Sequence, residues 1–186
     1  MKAAHYIILA TIFLLSCGAK GIKGKHSEDP AKAHDEVETG IHIGQRAPEL
    51  VFESPAGEKI SLSSLRGQMV LIDFWAAWCG PCRRENPNLV NTYHQYMDKE
   101  FVNGSGFTVY SVSLDRSKES WVAAIEKDSL EWKSHVSDLK GWQSAPAVEY
   151  EVTSIPVNFL INGNGIILAV GLRGHYLDDK LKELLK

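Results

Sequence analysis

Cysteine is scarce in this 186-residue chain: Cys17, Cys79 and Cys82 are all it has. A structural zinc site needs four ligands, and one Cys-x-x-Cys pair plus a distant cysteine does not supply them. The nearest histidine, His94, has no second histidine three to five residues away. None of the seven histidines shows ligand spacing. Covalent haem attachment requires histidine directly after the second cysteine, where this chain has Arg83. An excess of basic charge is also missing. The formal net charge is -3, and the 20 Lys and Arg are scattered, which removes the footprint of a nucleic-acid partner. No apolar run reaches the roughly 20 residues that a membrane-spanning helix requires. Internal repeats and low-complexity tracts are absent as well. What remains, 44% hydrophobic and 23% charged residues, is enough for one domain with a sizeable core.

The amino terminus is organised differently from the rest. Lys2 precedes the apolar stretch Tyr6 to Leu15, the size of the core of a secretory signal peptide, which predicts export. Leu14-Leu15-Ser16-Cys17 resembles a bacterial lipoprotein signal, in which cleavage leaves the cysteine as the lipid-bearing first residue; the alternative is an ordinary signal peptide with an incidental cysteine. Anchoring becomes firm once two or more lipid chains are buried. From Gly18 to Gly40 the chain is rich in lysine, acids and glycine and has no Phe, Tyr or Trp. Such a segment cannot offset its ordering entropy, so residues 17–41 are expected to form a flexible tether of roughly 25 to 30 Å reach. The division is therefore a signal peptide over 1–16, a tether over 17–41 and a folded domain over 42–186.

Within that domain the pattern alternates. Leu50 to Glu53 and Ile60 to Leu62 predict a hairpin, and Met69 to Ala76 is apolar enough for a strand buried on both faces. Gly80 to about Met97 reads as helix, Phe107 to Leu114 as a second central strand, and Ser117 to Asp128 as a helix burying Trp121, Ala124 and Ile125. Glu131 to Ser144 is ambiguous, and Ala147 to Tyr150 reads as a short helix. Val157 to Ile161 and Ile166 to Val170 predict a hairpin before a closing amphipathic helix bearing Leu177, Leu181, Leu184 and Leu185.

The most informative segment is Cys79-Gly80-Pro81-Cys82, placed where the apolar run ending in Trp75-Ala76-Ala77-Trp78 gives way to a helix. A disulfide across so small a loop removes little unfolded-state entropy, which makes stability a poor reason for the spacing. Two thiols at that junction suit exchange with other disulfides instead. Cys79, at the helix amino terminus, is the expected nucleophile, because unpaired N–H groups and the helix dipole favour its thiolate. Cys82, a turn further in, is the expected resolving thiol. Gly80 leaves room for a docking protein, and Pro81 suits a first helical turn. Asp73 interrupts an apolar strand and, if buried, keeps its proton unusually well, which suits a proton shuttle for Cys82; an exposed strand edge is the alternative. Glu85 shares a helix face with Cys82, Leu89, Tyr93 and Tyr96, so it is a second candidate for that role or an exposed first-turn acid. Trp75 and Trp78 offer an apolar surface near the thiols or belong to the core.

The order of elements, with Cys-x-x-Cys at a strand-to-helix junction and a closing hairpin and helix, resembles the α/β thioredoxin fold: a central mixed sheet flanked by helices. The amino-terminal hairpin, the helix inserted after Leu114 and the exported context resemble the TlpA/ResA-like thiol-disulfide oxidoreductases. Asp73-Phe74-Trp75-Ala76, Cys-Gly-Pro-Cys and Ile155-Pro156 before a strand carry that resemblance. It implies a buried acid at Asp73, an active-site glutamate at Glu85, and a cis Pro156 facing the cysteines, with Ile155 pairing with an extended client; a proline opening an edge strand is the alternative for Pro156. It further implies a lipid-anchored monomer facing the periplasm that reduces disulfides of cysteine-containing clients, such as apocytochrome c during cytochrome c maturation. Its own reductant would be a membrane thiol carrier of DsbD/CcdA type, and its chemistry would need no metal or organic cofactor. A peroxiredoxin-type peroxidase is weaker, since Ala76 stands where its threonine belongs; a non-catalytic peptide-binding module is another reading, and an oxidase or isomerase stays open because potential and partner set the direction.

Overall fold

The computed structural model describes residues 37–186, so the signal peptide, most of the tether and Cys17 lie outside the described residues. Residues at the end of the expected tether already engage the domain: Gly40 N–H donates to the Arg46 carbonyl (3.0 Å) and Arg46 N–H to the Glu38 carbonyl (2.9 Å). These residues form one compact unit.

A five-stranded sheet organises that unit. Its strands are β3 (Met69–Trp75), β6 (Phe107–Ser113), β7 (Ser134–Val136), β8 (Val157–Ile161) and β9 (Ile167–Val170), ordered β7-β6-β3-β8-β9. β6 runs parallel to β3, while β8 runs antiparallel to it. β3 is central, and each of its seven residues is buried, as expected of a strand covered on both faces. Alternation along it decides the site. Ile72 and Phe74 point to one layer, where Phe74 meets Tyr150 and Phe159 at 5.4 and 6.2 Å between ring centroids. Leu71, Asp73 and Trp75 point to the other.

Over the Asp73 face lies α1 (Gly80–Tyr96), joined to α4 (His175–Glu183) where Tyr96 donates its hydroxyl to Asp178 at 2.7 Å. α2 (Lys118–Lys127) and α3 (Ala145–Glu149) complete the helices. The amino-terminal hairpin is β1 (Val51–Glu53) with β2 (Lys59–Ser61). Tyr110 of β6 ties the hairpin to the sheet by donating to the Ile60 carbonyl (2.9 Å), and Tyr150, the C-cap of α3, donates to the Pro48 carbonyl (2.7 Å).

Several boundaries differ from the expectation for local reasons. Leu62 opens a single 3-10 turn instead of ending β2, because Ser61 caps it by accepting from Ser64 N–H. Ser117 and Asp128 cap α2 and are not turns of it. Pro146 allows α3 to begin at Ala145, since a proline needs no N–H partner in a first turn. The ambiguous stretch holds the edge strand β7 and a 3-10 turn at Gly141–Gln143. A two-residue hairpin of β4 (Glu100–Phe101) and β5 (Gly104–Ser105), not anticipated, seats fully buried Phe101.

Candidate active site

β3 ends at Trp75, and the loop 76–78 turns the chain into α1 with Cys79 as its N-cap. There Cys79 Sγ accepts from Cys82 N–H at 3.2 Å. The two cysteines are joined in a disulfide. Both are buried, 4% and 1% exposed, and they differ in position: Cys79 is the N-cap and Cys82 lies in the first turn of α1. Trp78 and Gly80 are exposed beside them.

The loop before Cys79 is held from both sides. Ala77 N–H donates to Asp115 at 2.9 Å, and Ala77 carbonyl accepts from Arg83 Nη1 at 3.2 Å. Arg83 also forms a bidentate pair with Asp128, which Asn86 joins at 2.6 Å. Burial pushes the Asp128 carboxyl up, but the hydrogen bonds from Arg83 and Asn86 and the Arg83 charge outweigh it, leaving Asp128 below the usual carboxylate range.

Behind Cys82 lies a cavity of about 10 Å³, the size of one water, faced by Asp73, Glu85, Asn86, Asn158 and Arg173. Asp73 is 6% exposed, so the exposed-edge alternative is removed. Burial, and secondarily the Glu85 charge, raise its carboxyl to about 7, against a smaller lowering by Arg173. Glu85 is half-buried and accepts from Gly174 N–H at 2.6 Å. Both candidate acids therefore face one cavity with Cys82, with different anchoring.

The Ile155–Pro156 peptide bond is cis. Pro156 lines the cavity, and the Ile155 carbonyl oxygen lies 3.9 Å from Cys79 Sγ. Among the described residues no backbone group hydrogen-bonds the Ile155 N–H or carbonyl, which leaves that edge available to an extended peptide. On the other side of Trp78 an open groove of about 760 Å³ runs past Leu114, Arg116 and Trp142. Trp78 and Trp142 are about half exposed, with ring centroids 6.0 Å apart. Trp75, by contrast, is core. Asp115, Asn158, Arg173, the Arg83–Asp128 pair and Trp142 are site residues that sequence reasoning missed. Asn158 and Asp115 carried a signal, a polar side chain within or just after a buried strand, the same signal that marked Asp73.

The AhpC/TSA family model matches residues 43–170. The thioredoxin-like protein YneN of Bacillus subtilis is 32% identical over 136 residues, covering 73% of this chain and 75% of that one. The thiol-disulfide oxidoreductase ResA of Bacillus thuringiensis is 26% identical over 186 residues, covering 100% and 98%. Among solved structures, a thiol-disulfide oxidoreductase from Bacteroides fragilis superposes with a TM-score of 0.68 at 36% identity, covering 76% of this chain and 100% of that one. The thioredoxin domain of a thiol-disulfide oxidoreductase from Bacteroides vulgatus gives 0.70 at 34%, covering 79% and 100%.

Proposed function

The chain belongs to the AhpC/TSA family and is a thiol-disulfide oxidoreductase of thioredoxin fold, and we propose that it works as a reductant of client-protein disulfides outside the cytoplasm. One observation carries the reading: Cys79 caps α1 beside the unpaired Ile155 backbone while Cys82 faces the acid cavity.

In the reduced protein the Cys79 thiolate attacks one sulfur of a client disulfide. A Cys79–client disulfide forms, and the other client sulfur leaves as a thiolate that takes a proton from water. Cys82 then gives its proton to the carboxylate of Asp73, with Glu85 as the second candidate, and its sulfur attacks Cys79. The Cys79–Cys82 disulfide forms, the client's second sulfur leaves, and two electrons have passed to the client. The client backbone lies along Ile155, its side chains against Trp78 and the groove beyond. A membrane thiol reductant of DsbD/CcdA type restores the dithiol, and no metal or organic cofactor takes part.

The export signal and lipid attachment at Cys17 belong to the same reading: the tether keeps the monomeric domain near the membrane that supplies its electrons. ResA among the relatives supports apocytochrome c as a client class. The deciding measurement is the reduction potential of the Cys79/Cys82 pair against thiol-disulfide buffers. A value near thioredoxin's, about -270 mV, is expected; one near DsbA's, about -120 mV, makes the protein an oxidant and reverses the direction. Thiol-dependent peroxide consumption faster than client reduction would favour the peroxidase reading.

A further inference from the structure

Arg173 occupies an unusual place. It follows β9 on an exposed turn, yet among the described residues it makes no ion pair with a carboxylate within 4.0 Å. Its guanidinium instead donates to the carbonyl of Pro156, on the loop that faces Cys79. The segment around it is tied down on both sides. Asn158 grips Leu172 twice, accepting from its N–H at 2.8 Å and donating to its carbonyl at 2.7 Å. Gly174 N–H donates to Glu85 at 2.6 Å. The turn is thus fixed to β8, to the docking loop and to α1 within three residues.

The cavity behind Cys82 supplies the second half of the argument. Two carboxyls face it, Asp73 from β3 and Glu85 from α1, and the Glu85 charge opposes the ionisation of Asp73. Cys82 and neutral Asn86 come from α1, neutral Asn158 from β8 and apolar Leu177 from α4; Arg173 is the one cation lining it.

We infer that Arg173 is a positioning residue for the exchange reaction: it holds the Pro156 carbonyl and, from the same place, presents the countercharge to the Asp73–Glu85 pair, so docking-loop geometry and acid protonation are set together. This rests on the reading that these acids serve Cys82. Removing the charge raises the pH at which Asp73 gives up its proton, and so the pH at which it can accept one from Cys82. Replacing the charge in kind leaves that pH where it was, even if the bond to Pro156 is imperfect.

The test is stopped-flow resolution of a mixed disulfide as a function of pH, on the full chain, using a small peptide disulfide as client. Arg173→Met and Arg173→Gln are expected to move the midpoint of the rate profile upward by about half a unit or more, and Arg173→Lys to restore it. A carbon-13 titration of the Asp73 carboxyl in the oxidised protein reads the same shift without turnover. An unmoved midpoint in Arg173→Met, or a Lys variant displaced as far as the Met variant, overturns the inference; a merely structural arginine would lower rates at every pH and leave the midpoint alone. The failures are separable, because wild-type protein that never forms a Cys79–client disulfide defeats the functional reading instead.

Discussion

Replacing Asp73 by Asn should make the oxidised protein more stable and the enzyme slower, and the gain in stability should depend on pH in a defined way. Asp73 is buried, its carboxyl is raised from 3.8 to about 7, and that displacement is worth up to about 4 kcal/mol when the unfolded chain ionises and the native one resists. The sign follows from proton counts. Below about pH 4 both states hold the proton and the group contributes nothing. Between 4 and 7 the unfolded state has released it while the native state keeps it, so this residue lowers stability progressively as pH rises, reaching its full effect above 7. Asn is neutral throughout, and its stabilisation relative to wild type should grow from near zero at pH 4 to about 2 to 4 kcal/mol at pH 8. Urea unfolding of both proteins at four or five pH values, with m-values checked for constancy, measures this directly. The pH dependence of groups outside the Asp73–Glu85 cavity is shared by the two proteins and cancels. A constant difference across the range, or a variant that loses stability as pH rises, would refute the argument that burial keeps Asp73 protonated. If Asp73 accepts the Cys82 proton as proposed, the same variant should resolve the mixed disulfide about 10-fold or more slowly.

Glu85→Gln should slow resolution less than Asp73→Asn, because Glu85 is committed to Gly174 N–H; the reverse order of rates in the same stopped-flow assay transfers the proton-accepting role to Glu85. Asp128→Asn should cost about 1 to 3 kcal/mol at neutral pH. Because Asp128 is held below its ordinary range, that contribution is present above about pH 3.8 and disappears as pH falls through its native value, so the two unfolding curves should converge in acid. His135 is buried and, chiefly for that reason, lowered from 6.5 to about 4, so stability is lost as pH falls through that window. His135→Leu should remove up to about 3 kcal/mol of acid sensitivity, read as a flatter dependence of stability on pH. Cys82→Ser should accumulate a Cys79–client disulfide visible by mass, and Cys79→Ser should form none.

What was legible in the sequence is what is local. Cys79 and Cys82 announce their relation by spacing, and the helix start between them follows from Pro81. Asp73 was identifiable because a carboxylate in an apolar strand can only be exposed at an edge or buried as an acid, and β3 has no exposed residue. Glu85 was placed by helical period on the face of Cys82, and the structure puts it there. The unread parts depend on contacts between distant segments. Arg83 meets Asp128 across 45 positions, and Glu85 meets Gly174 across 89, with no periodic trace of either. β7 escaped because it is three residues long and carries Ser134 and His135, polar side chains that the fold nevertheless buries. β4 and β5 are too short to show alternation at all.

The two charged networks beside the disulfide differ in kind, and that difference explains how one site can be both rigid and responsive. Arg83 and Asp128 neutralise each other, and with Asp115 they hold both ends of the Ala77 peptide just before Cys79. Asp128 gives up that arrangement only in acid, so the approach to Cys79 keeps its geometry across the working range. On the opposite side Asp73 and Glu85 share a single countercharge, and Asp73 changes protonation near neutrality. A change of pH near 7 is therefore expected to act on the proposed proton transfer from Cys82 and, through Arg173, on the Pro156 loop beside it, while the Ala77 side stays in place. In the proposed exchange, the Ala77 side of the site keeps its geometry while the Pro156 side, held by Arg173, follows the protonation of Asp73.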